Sequence, residues 1–202
     1  MKLRFFLVFA IAFVLIFAVL NSRFIFANIK FWINGGVALS PALSDLSKTE
    51  PNTKIVLPDK AILVIDNIGV SAPIVFGVGD DAKNIYNNLE KGVVHYSSMP
   101  KPGMDGVSII LGHSSAYPWY KGAYGSVFAL LGKLKAGDKI YVEYGDGRTF
   151  AFSVKQSIIF SPFKEDTRLA QIEKSEKPTL ILISCWPIGT NYKRIAVQAE
   201  LE

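Results

Sequence analysis

The sequence predicts one mostly β domain, a closed barrel or a sandwich, preceded by an apolar segment near the N-terminus. Short β-branched or aromatic runs recur between Gly, Pro and Asp residues from about residue 61 onward. Helical signals are confined to two short stretches, so the pattern favours mostly antiparallel strands with one or two short helices. A single run of sixteen apolar residues sets the N-terminus apart from this domain.

The apolar run, Phe5 to Leu20, predicts a single-pass transmembrane helix. At about 1.5 Å per residue it is roughly 24 Å long, whereas the hydrocarbon core of a bilayer is about 30 Å thick. Leu3 and the stems of Lys2 and Arg4 extend the run toward that thickness. Basic residues before the run favour a cytoplasmic N-terminus and an extracytoplasmic domain. A cleaved signal peptide is the alternative, although no small-residue cleavage site ends the run, and it would also export the domain.

Composition divides the chain into three parts, at residues 1–34, 35–58 and 59–202. The first is predicted to be the membrane anchor with its flank. The second is rich in Gly, Ser, Thr, Asn and Pro, which predicts an extracytoplasmic stalk before the folded domain. The net charge is +5, but the first 34 residues hold four cationic residues and no acidic one, so the rest carries only +1. A nearly neutral domain gives no reason to expect a nucleic acid partner.

Six segments are predicted as strands and two as helices. Turn residues between Tyr144 and Thr149 predict a hairpin connecting two of the strands. One helix is predicted over Ser126 to Leu134, with Ser126 as its cap, and another over Asp166 to Lys174. The predicted strands are Ala61–Ile65, Val107–Leu111, Ile140–Tyr144, Thr149–Val154, Thr179–Cys185 and Arg194–Leu201.

Cys185 is the only cysteine of the chain, so no intramolecular disulfide can form. A lone thiol in an oxidising compartment is a liability unless it is buried or used. Cys185 ends an almost continuously apolar strand. If this strand pairs with the last strand as a hairpin, Arg194 lies directly opposite, with Cβ atoms about 5 Å apart. The pattern therefore predicts a fixed positive charge beside the thiol.

His113 is the stronger of two histidine candidates for a base beside this thiol. It follows an apolar strand, and strand ends hold side chains more rigidly than loops do, whereas His95 lies near several Pro and Gly residues. The nucleophile is a thiolate, which neighbouring cations favour, and a histidine can then transfer protons. Arginine can hold substrate or stabilise an oxyanion. Each of these residues alone is more often structural, so the prediction rests on all three occurring together.

The order of these residues resembles the sortase family of cysteine transpeptidases, most closely its classes D and E. The family joins a Gly-His at one strand end to a Thr-Leu-x-Thr-Cys strand end and an Arg at the start of the last strand. Gly112-His113, Ile181 to Cys185 and Lys193-Arg194 match this pattern. The likeness runs from about residue 55 to the end, with further similar segments at Leu63–Val75, Gly92–Tyr96, Pro102-Gly103 and Val127–Val142.

The resemblance implies a closed eight-stranded β-barrel with one or two short helices. It implies that Cys185 attacks the Thr–Gly bond of a Leu-Pro-x-Thr-Gly-like sorting signal, with His113 as acid and base and Arg194 as the stabilising cation. The thioacyl-enzyme then passes its acyl group to an amine on a cell-wall precursor or a pilin. The implied partners are proteins with a C-terminal sorting signal, this amine acceptor and the membrane. No cofactor is implied, and no acidic cluster has calcium-ligand spacing, so no metal is expected.

Several residues depart from the family pattern. Ile181 and Ser184 replace two threonines; Ser184 keeps a hydroxyl and is predicted to contribute to substrate binding, whereas Ile181 cannot form such a hydrogen bond. Asp66-Asn67 stands where many members have Pro-Lys. Residues 114–125 are rich in aromatic side chains, which either shape substrate access or pack locally. These departures predict a preferred substrate motif different from the best-known pentapeptide.

Two other functions fit parts of the sequence. One is another cysteine enzyme of the cell wall, an L,D-transpeptidase or an endopeptidase. The first of these would carry a histidine close before its nucleophile, but Ile183-Ser184 precede Cys185 and the nearest histidine lies 72 residues upstream. A non-catalytic, membrane-anchored module of the same fold that binds a peptide is the alternative from another class. Such a module has no use for a reactive thiol, and alkylation at neutral pH separates the two because only a thiolate reacts quickly.

Overall fold

The computed structural model describes residues 2–20, 25, 56–116, 120, 122–172, 174–175 and 177–202. The predicted membrane flank apart from residue 25, the predicted stalk up to residue 55, and residues 117–119 and 121 of the aromatic segment lie outside the described residues. The N-terminal apolar run forms helix α1 (Lys2–Leu20), whose described large apolar side chains are more than half exposed. Within the described ranges, no helix is long and apolar enough to cross a membrane.

Eight strands close into a barrel in the order β1-β2-β3-β4-β7-β8-β6-β5. This confirms the closed eight-stranded barrel and excludes a sandwich. Most neighbouring pairs are antiparallel, but β2 with β3 and β4 with β7 are parallel. The strands are β1 (Ala61–Ile65), β2 (Val70–Val75), β3 (Val93–His95), β4 (Val107–Leu111), β5 (Lys139–Tyr144), β6 (Thr149–Phe160), β7 (Thr179–Trp186) and β8 (Lys193–Leu201).

Within the described part of the domain, two short helices accompany the barrel, α2 (Ala82–Asn88) and α3 (Thr167–Ile172). The predicted helix over Asp166 to Lys174 is therefore confirmed in part, whereas α2 was not predicted. Its N-terminus is capped by Asp81, whose carboxylate accepts a hydrogen bond of 2.9 Å from the Asn84 amide. A single-turn 3₁₀ helix, Asp66–Ile68, connects β1 to β2.

The predicted helix over Ser126 to Leu134 is wrong. This segment is a series of turns that ends in a single-turn 3₁₀ helix at Leu131–Lys133. The Ala129 amide donates to the Ser126 carbonyl, three residues back rather than four, and the Phe128 amide donates to the carbonyl of His113 at 2.9 Å. A bond to another part of the chain interrupts the pattern that an α-helix requires.

Apolar side chains form two layers, one inside the barrel and one on the outer face of β4, β7 and β8. Alternation along β7 separates them, because Leu180 and Leu182 lie in the interior core while Ile181 and Ile183 belong to the outer layer. We call this layer the outer cluster. Its buried residues are Val107, Ile109, Ile158, Ile172, Ile181 and Ala196, and the half-buried Tyr96, Met99, Leu111, Phe160, Leu169 and Ile183 pack against them.

The chain enters the barrel through a segment fixed by two basic side chains. Leu57 is only 3% exposed and packs in the interior core. The Lys101 ammonium donates to the carbonyl oxygens of Leu57 and Pro58, at 2.5 Å and 3.3 Å. The Arg148 guanidinium donates to the Val56 carbonyl at 2.7 Å. Packed structure therefore begins before β1, within the last residues of the predicted stalk.

Candidate active site

The strands β7 and β8 bring Cys185 and Arg194 together. The two strands pair in antiparallel register from Thr179 opposite Glu200 to Trp186 opposite Lys193, and Cys185 is the direct partner of Arg194. Side chains of directly opposed residues project from the same face of a sheet. The cross-strand pairing predicted from the alternation of the last strand is therefore confirmed, and the Arg194 side chain projects from the same face of the sheet as the thiol.

Both residues project from the outer face of the barrel. Cys185 has the same parity along β7 as Ile181 and Ile183 of the outer cluster, and Arg194 has the same parity along β8 as Ala196. The Cys185 side chain is partly exposed. A long polypeptide can therefore reach the thiol along the surface of the barrel without entering its core.

The guanidinium of Arg194 is held by the connection between β7 and β8. Its Nη1 donates to the carbonyl oxygens of Asn191 and Lys193, at 3.0 Å and 2.9 Å. These bonds use one nitrogen of a group that carries five donors in a planar fork. The connection therefore fixes the direction of the fork and leaves other N–H groups to bind an oxyanion or a substrate carbonyl.

His113 comes to the level of Cys185 through the parallel pairing of β4 with β7. Leu111 is the partner of Ile183, and the Gly112 amide donates to the Ile183 carbonyl at 3.1 Å. His113 is two residues beyond Leu111, as Cys185 is two residues beyond Ile183. The structure thus brings the three predicted residues to one end of β4, β7 and β8.

Ser184 connects β7, the strand that carries Cys185, to the Gly112-His113 segment that follows β4. Its buried hydroxyl donates a hydrogen bond of 2.7 Å to the Gly112 carbonyl. This bond holds the residue before His113 against the residue before Cys185. The predicted role of Ser184 in substrate binding stays a prediction, because its hydroxyl is engaged with the backbone here. Ile181, the other departure, is 1% exposed within the outer cluster, where an apolar side chain fits.

We expect Ser184→Ala to lower the free energy of unfolding by about 1–2 kcal/mol, because the Gly112 carbonyl loses its buried donor. Urea unfolding of the soluble domain measures this change. Ser157→Ala removes a hydroxyl from an exposed position on β6 and should leave the stability unchanged. Equal stability of Ser184→Ala and Ser157→Ala would contradict the assignment.

Gly112 and Phe128 are in close contact next to His113. A Cβ atom at position 112 would lie 2.4 Å from the ring of Phe128, so only glycine allows the backbone to approach this closely. The ring is 1% exposed in the interior core, and the Phe128 amide donates to the His113 carbonyl. Phe128 was not predicted as a site residue. The glycine before His113 was the one local signal of a close contact.

His113 is partly buried between two tyrosine rings, and burial shifts its protonation. Tyr86 and Tyr120 contact its imidazole edge-on. Burial lowers the pKa of His113 below its ordinary value of 6.5, and the nearby negative charge of Glu90 opposes this shift. The imidazole is therefore mostly neutral at neutral pH. In the free protein His113 is therefore in the form that can accept a proton.

His95, the lower-ranked histidine, has a structural environment. It is 3% exposed, its Nε2 bonds to the Pro100 carbonyl at 2.9 Å, and its ring packs against Phe76. The Ser108 hydroxyl donates to the same carbonyl at 2.6 Å. Burial lowers the pKa of His95 as well. These contacts support the preference for His113. Among the described residues, no group of three His, Cys, Asp or Glu side chains is placed to hold a metal ion.

We expect the free energy of unfolding to fall as the pH drops below 6.5. The pKa values of His95 and His113 are lower in the folded protein than their ordinary 6.5. At a pH between the lowered pKa of the folded state and 6.5, the two histidines bind protons in the unfolded chain but not in the folded one. The free energy of unfolding is therefore fully present above pH 6.5 and decreases as the pH falls toward the lowered pKa values. Urea unfolding at pH 7.5 and 5.5 measures this loss, which should be smaller in His113→Gln. A stability independent of pH across this range would contradict it.

Comparison with known proteins identifies relatives along most of the domain. The family model described as the sortase domain matches residues 63–202. Sortase D of Bacillus subtilis (strain 168) is 30% identical in an alignment 144 residues long that covers 69% of this chain and 62% of that protein. The chain therefore covers slightly less than two thirds of the length of this relative.

Solved structures of other proteins are similar to this fold. Sortase C-1 from Actinomyces oris is 29% identical with a TM-score of 0.57, over 70% of this chain and 73% of that one. Sortase A from Corynebacterium diphtheriae is 28% identical with a TM-score of 0.57, over 74% of this chain and 63% of that one.

Proposed function

The chain belongs to the sortase family, and we propose that it is a transpeptidase that uses Cys185 to cleave a peptide sorting signal and transfer the acyl part to an amine. Members of this family are cysteine transpeptidases. The observation that carries the proposal is the pairing of Cys185 with Arg194 on the outer face of β7 and β8. The hydrogen bond between Ser184 and Gly112 supports a role for His113 as well, because it keeps this residue at the same strand end as Cys185 and Arg194.

The first half of the proposed reaction forms a thioester. His113 accepts the thiol proton of Cys185, the resulting thiolate attacks the carbonyl carbon of the scissile peptide bond, and the carbonyl oxygen becomes an oxyanion. Arg194 stabilises this oxyanion with N–H groups whose direction is set before substrate binds, which is where such donors contribute most. The C–N bond then breaks, and the imidazolium form of His113 gives its proton to the departing amine.

The second half transfers the acyl group. An amine attacks the thioester carbonyl, His113 in its neutral form accepts the proton from the attacking nitrogen, and the C–S bond breaks to release the Cys185 thiolate, which takes the proton back from His113. The lowered pKa of His113 favours the neutral form that this step requires. The same imidazole therefore acts as acid in one half-reaction and as base in the other.

The peptide is proposed to lie along the outer cluster. Half-buried Leu111, Ile183, Phe160 and Leu169 belong to this layer, whose parity on β7 continues to Cys185. Apolar side chains of an extended peptide gain free energy by covering such surface, at about 25 cal/mol for each Å² removed from water. This supports a sorting signal with an apolar residue several positions before the scissile bond, as in a Leu-Pro-x-Thr-Gly-like sequence.

The domain is proposed to act outside the cytoplasmic membrane, held there by the apolar run of α1. The support is the sequence of sixteen apolar residues, Phe5 to Leu20, preceded by two basic residues. The proposed partners are proteins with a C-terminal sorting signal and an amine on a cell-wall precursor or a pilin. Membrane fractionation, and protease treatment of intact protoplasts, test this location. A protein recovered unchanged in the soluble cytosolic fraction would overturn it.

The function is tested with a soluble domain that begins near Ser47, so that the entry segment at Val56 to Pro58 is retained. The domain is incubated with a fluorogenic library of Leu-Pro-x-Thr-Gly-type peptides and an added amine, in wild-type form and as Cys185→Ala. We expect cleavage, a thioester on Cys185 detectable by mass spectrometry, and a product joined to the amine, all absent from the variant. The library also reveals the preferred motif.

Two results would overturn this proposal. Cleavage that persists in Cys185→Ala would remove the thiol from the reaction. A complete lack of cleavage, with Cys185 alkylated no faster at neutral pH than a free thiol, would instead favour the module that only binds a peptide.

A further inference from the structure

Two tyrosine side chains, Tyr86 and Tyr120, contact His113, and the proposed reaction uses neither of them directly. Their ring centroids lie 5.7 Å and 5.5 Å from that of the imidazole, and both rings are inclined to it by 82°. Edge-on contacts of this kind are favourable and have a preferred geometry. Tyr86 lies on α2, whereas Tyr120 lies on the connection after β4. We call these two residues the tyrosine pair.

The position of the Tyr120 side chain is fixed by a hydrogen bond and by close packing. Its hydroxyl donates a hydrogen bond of 3.0 Å to the carbonyl of Leu89, the residue that follows α2. Its ring lies against the backbone of Gly122 and Gly125, where an added Cβ atom would come within 3 Å of ring atoms. The bond to Leu89 joins the connection after β4 to the helix that carries Tyr86. The tyrosine pair is therefore one linked unit next to His113.

The tyrosine pair also takes part of the imidazole surface away from water. A ring that touches the imidazole occupies space that solvent would otherwise fill. The Tyr86 side chain is itself 52% exposed, so it stands at the boundary between His113 and the solvent. The lowered pKa of His113, caused mainly by burial, agrees with an imidazole that water reaches poorly.

We propose that the tyrosine pair holds the His113 imidazole in place and shields it from water, so that the acyl group passes to an amine in preference to water. This inference rests on the proposed function, because it specifies what decides the outcome of the last step. Tyr86 and Tyr120 are positioning residues: they act through His113 and make no contact with the reacting atoms in this scheme.

The two competing outcomes differ only in the nucleophile. In transfer, the amine nitrogen forms a C–N bond to the thioester carbon and His113 accepts its proton. In hydrolysis, a water oxygen forms a C–O bond to the same carbon and His113 accepts a proton from that water. In both, the C–S bond breaks and its electron pair stays on the sulfur of Cys185. Both nucleophiles must reach His113, so the tyrosine pair disfavours hydrolysis by excluding bulk water from the imidazole until an amine acceptor binds beside it.

Tyr86→Ala tests the inference, because the side chain is exposed and its loss leaves the core intact. We expect the fraction of acyl-enzyme lost to hydrolysis to rise several-fold at a fixed amine concentration, and the pKa of His113 to move back toward 6.5 in an NMR titration. Tyr86→Phe keeps the ring and should behave like the wild type in both measurements. Tyr141→Ala removes a partly exposed tyrosine from β5, on another wall of the barrel, and should change neither.

The outcomes separate this inference from the proposed function. If Tyr86→Ala is folded and divides its product between amine and water as the wild type does, the inference is wrong. The same holds if Tyr86→Phe shows the full effect of Tyr86→Ala. If the wild type makes no Cys185-dependent product, the proposed function fails. The NMR titration then still reports whether Tyr86 shields His113.

Discussion

Arg194→Lys is expected to lower the kcat of transfer about 10²-fold even though the positive charge is kept. The loss of one oriented donor to an oxyanion commonly reduces kcat by about 10²–10³. In this protein the direction of the donors comes from the bonds between Arg194 and the carbonyl oxygens of Asn191 and Lys193. A lysine ammonium is a point charge on a flexible stem, so it cannot bind both carbonyl oxygens and still present a planar fork to the substrate.

The measurement is a comparison of kcat, and of the rate of thioester formation in a single turnover, for the wild type and Arg194→Lys. Arg148→Lys is the matched control, because Arg148 lies near the hairpin between β5 and β6 and holds the entry segment instead. Its kcat should equal that of the wild type. A kcat for Arg194→Lys within twofold of the wild type would show that charge alone is sufficient, and that the fork contributes nothing.

Gly112→Ala is expected to lower kcat about 10²-fold and to destabilise the domain by about 1–3 kcal/mol. The new Cβ atom would meet the Phe128 ring at 2.4 Å, and the ring is packed in the interior core. The backbone must therefore shift, and overpacking in a core costs roughly this much. His113 is the next residue, and a displacement of about 1 Å in a catalytic group can reduce the rate by about 10².

A second substitution identifies the cause. In Gly112→Ala combined with Phe128→Leu, the smaller side chain gives space to the new methyl group, so kcat should recover above that of Gly112→Ala alone. Gly145→Ala is the control, because its Cβ would meet only the flexible side chain of Lys60, at 3.3 Å or more. If the double variant is no more active than Gly112→Ala, the contact with Phe128 is not what positions His113.

The parts of the fold that alternation determines were predictable from the sequence. The last strand alternates apolar and polar residues, and this pattern places Ile195 and Val197 inside the barrel and Arg194 outside. Because Cys185 ends the preceding apolar strand, the hairpin register follows, and with it the central pair of the candidate site. The closed barrel with eight strands came from the resemblance to the sortase family, because alternation alone did not distinguish a barrel from a sandwich.

The strand β2 was missed because Pro73 lies within it. A proline removes a donor and argues against a central strand. The structure accommodates it, because the pairing of β2 with β3 begins only at Ile74, one residue later. Its other neighbour β3 has only three residues, too few to show alternation. Each of these two segments is a strand because it pairs with a neighbouring strand on both of its edges, and not because of its residue propensities.

The surroundings of His113 could not be predicted, because contacts between distant segments form them. The apolar spacing of Ser126 to Leu134 suits a helix, and nothing local shows that the Phe128 amide bonds to the His113 carbonyl instead. Tyr86 and Tyr120 are likewise far from each other in sequence, and only the fold places both against one imidazole. The aromatic content of residues 114–125 suggested a role near the substrate but not a contact with the histidine.

The entry segment has a mechanical consequence. In the strand order of the barrel, β1 and β7 are four places apart in either direction, so the chain enters on the wall opposite the thiol. A tensile force between a tether at Val56 and a polypeptide bonded to Cys185 would first load the bonds from Arg148 and Lys101 to the backbone. The force would then divide between the two sets of strands that connect β1 to β7 around the barrel, and each set would carry part of it through its interstrand hydrogen bonds.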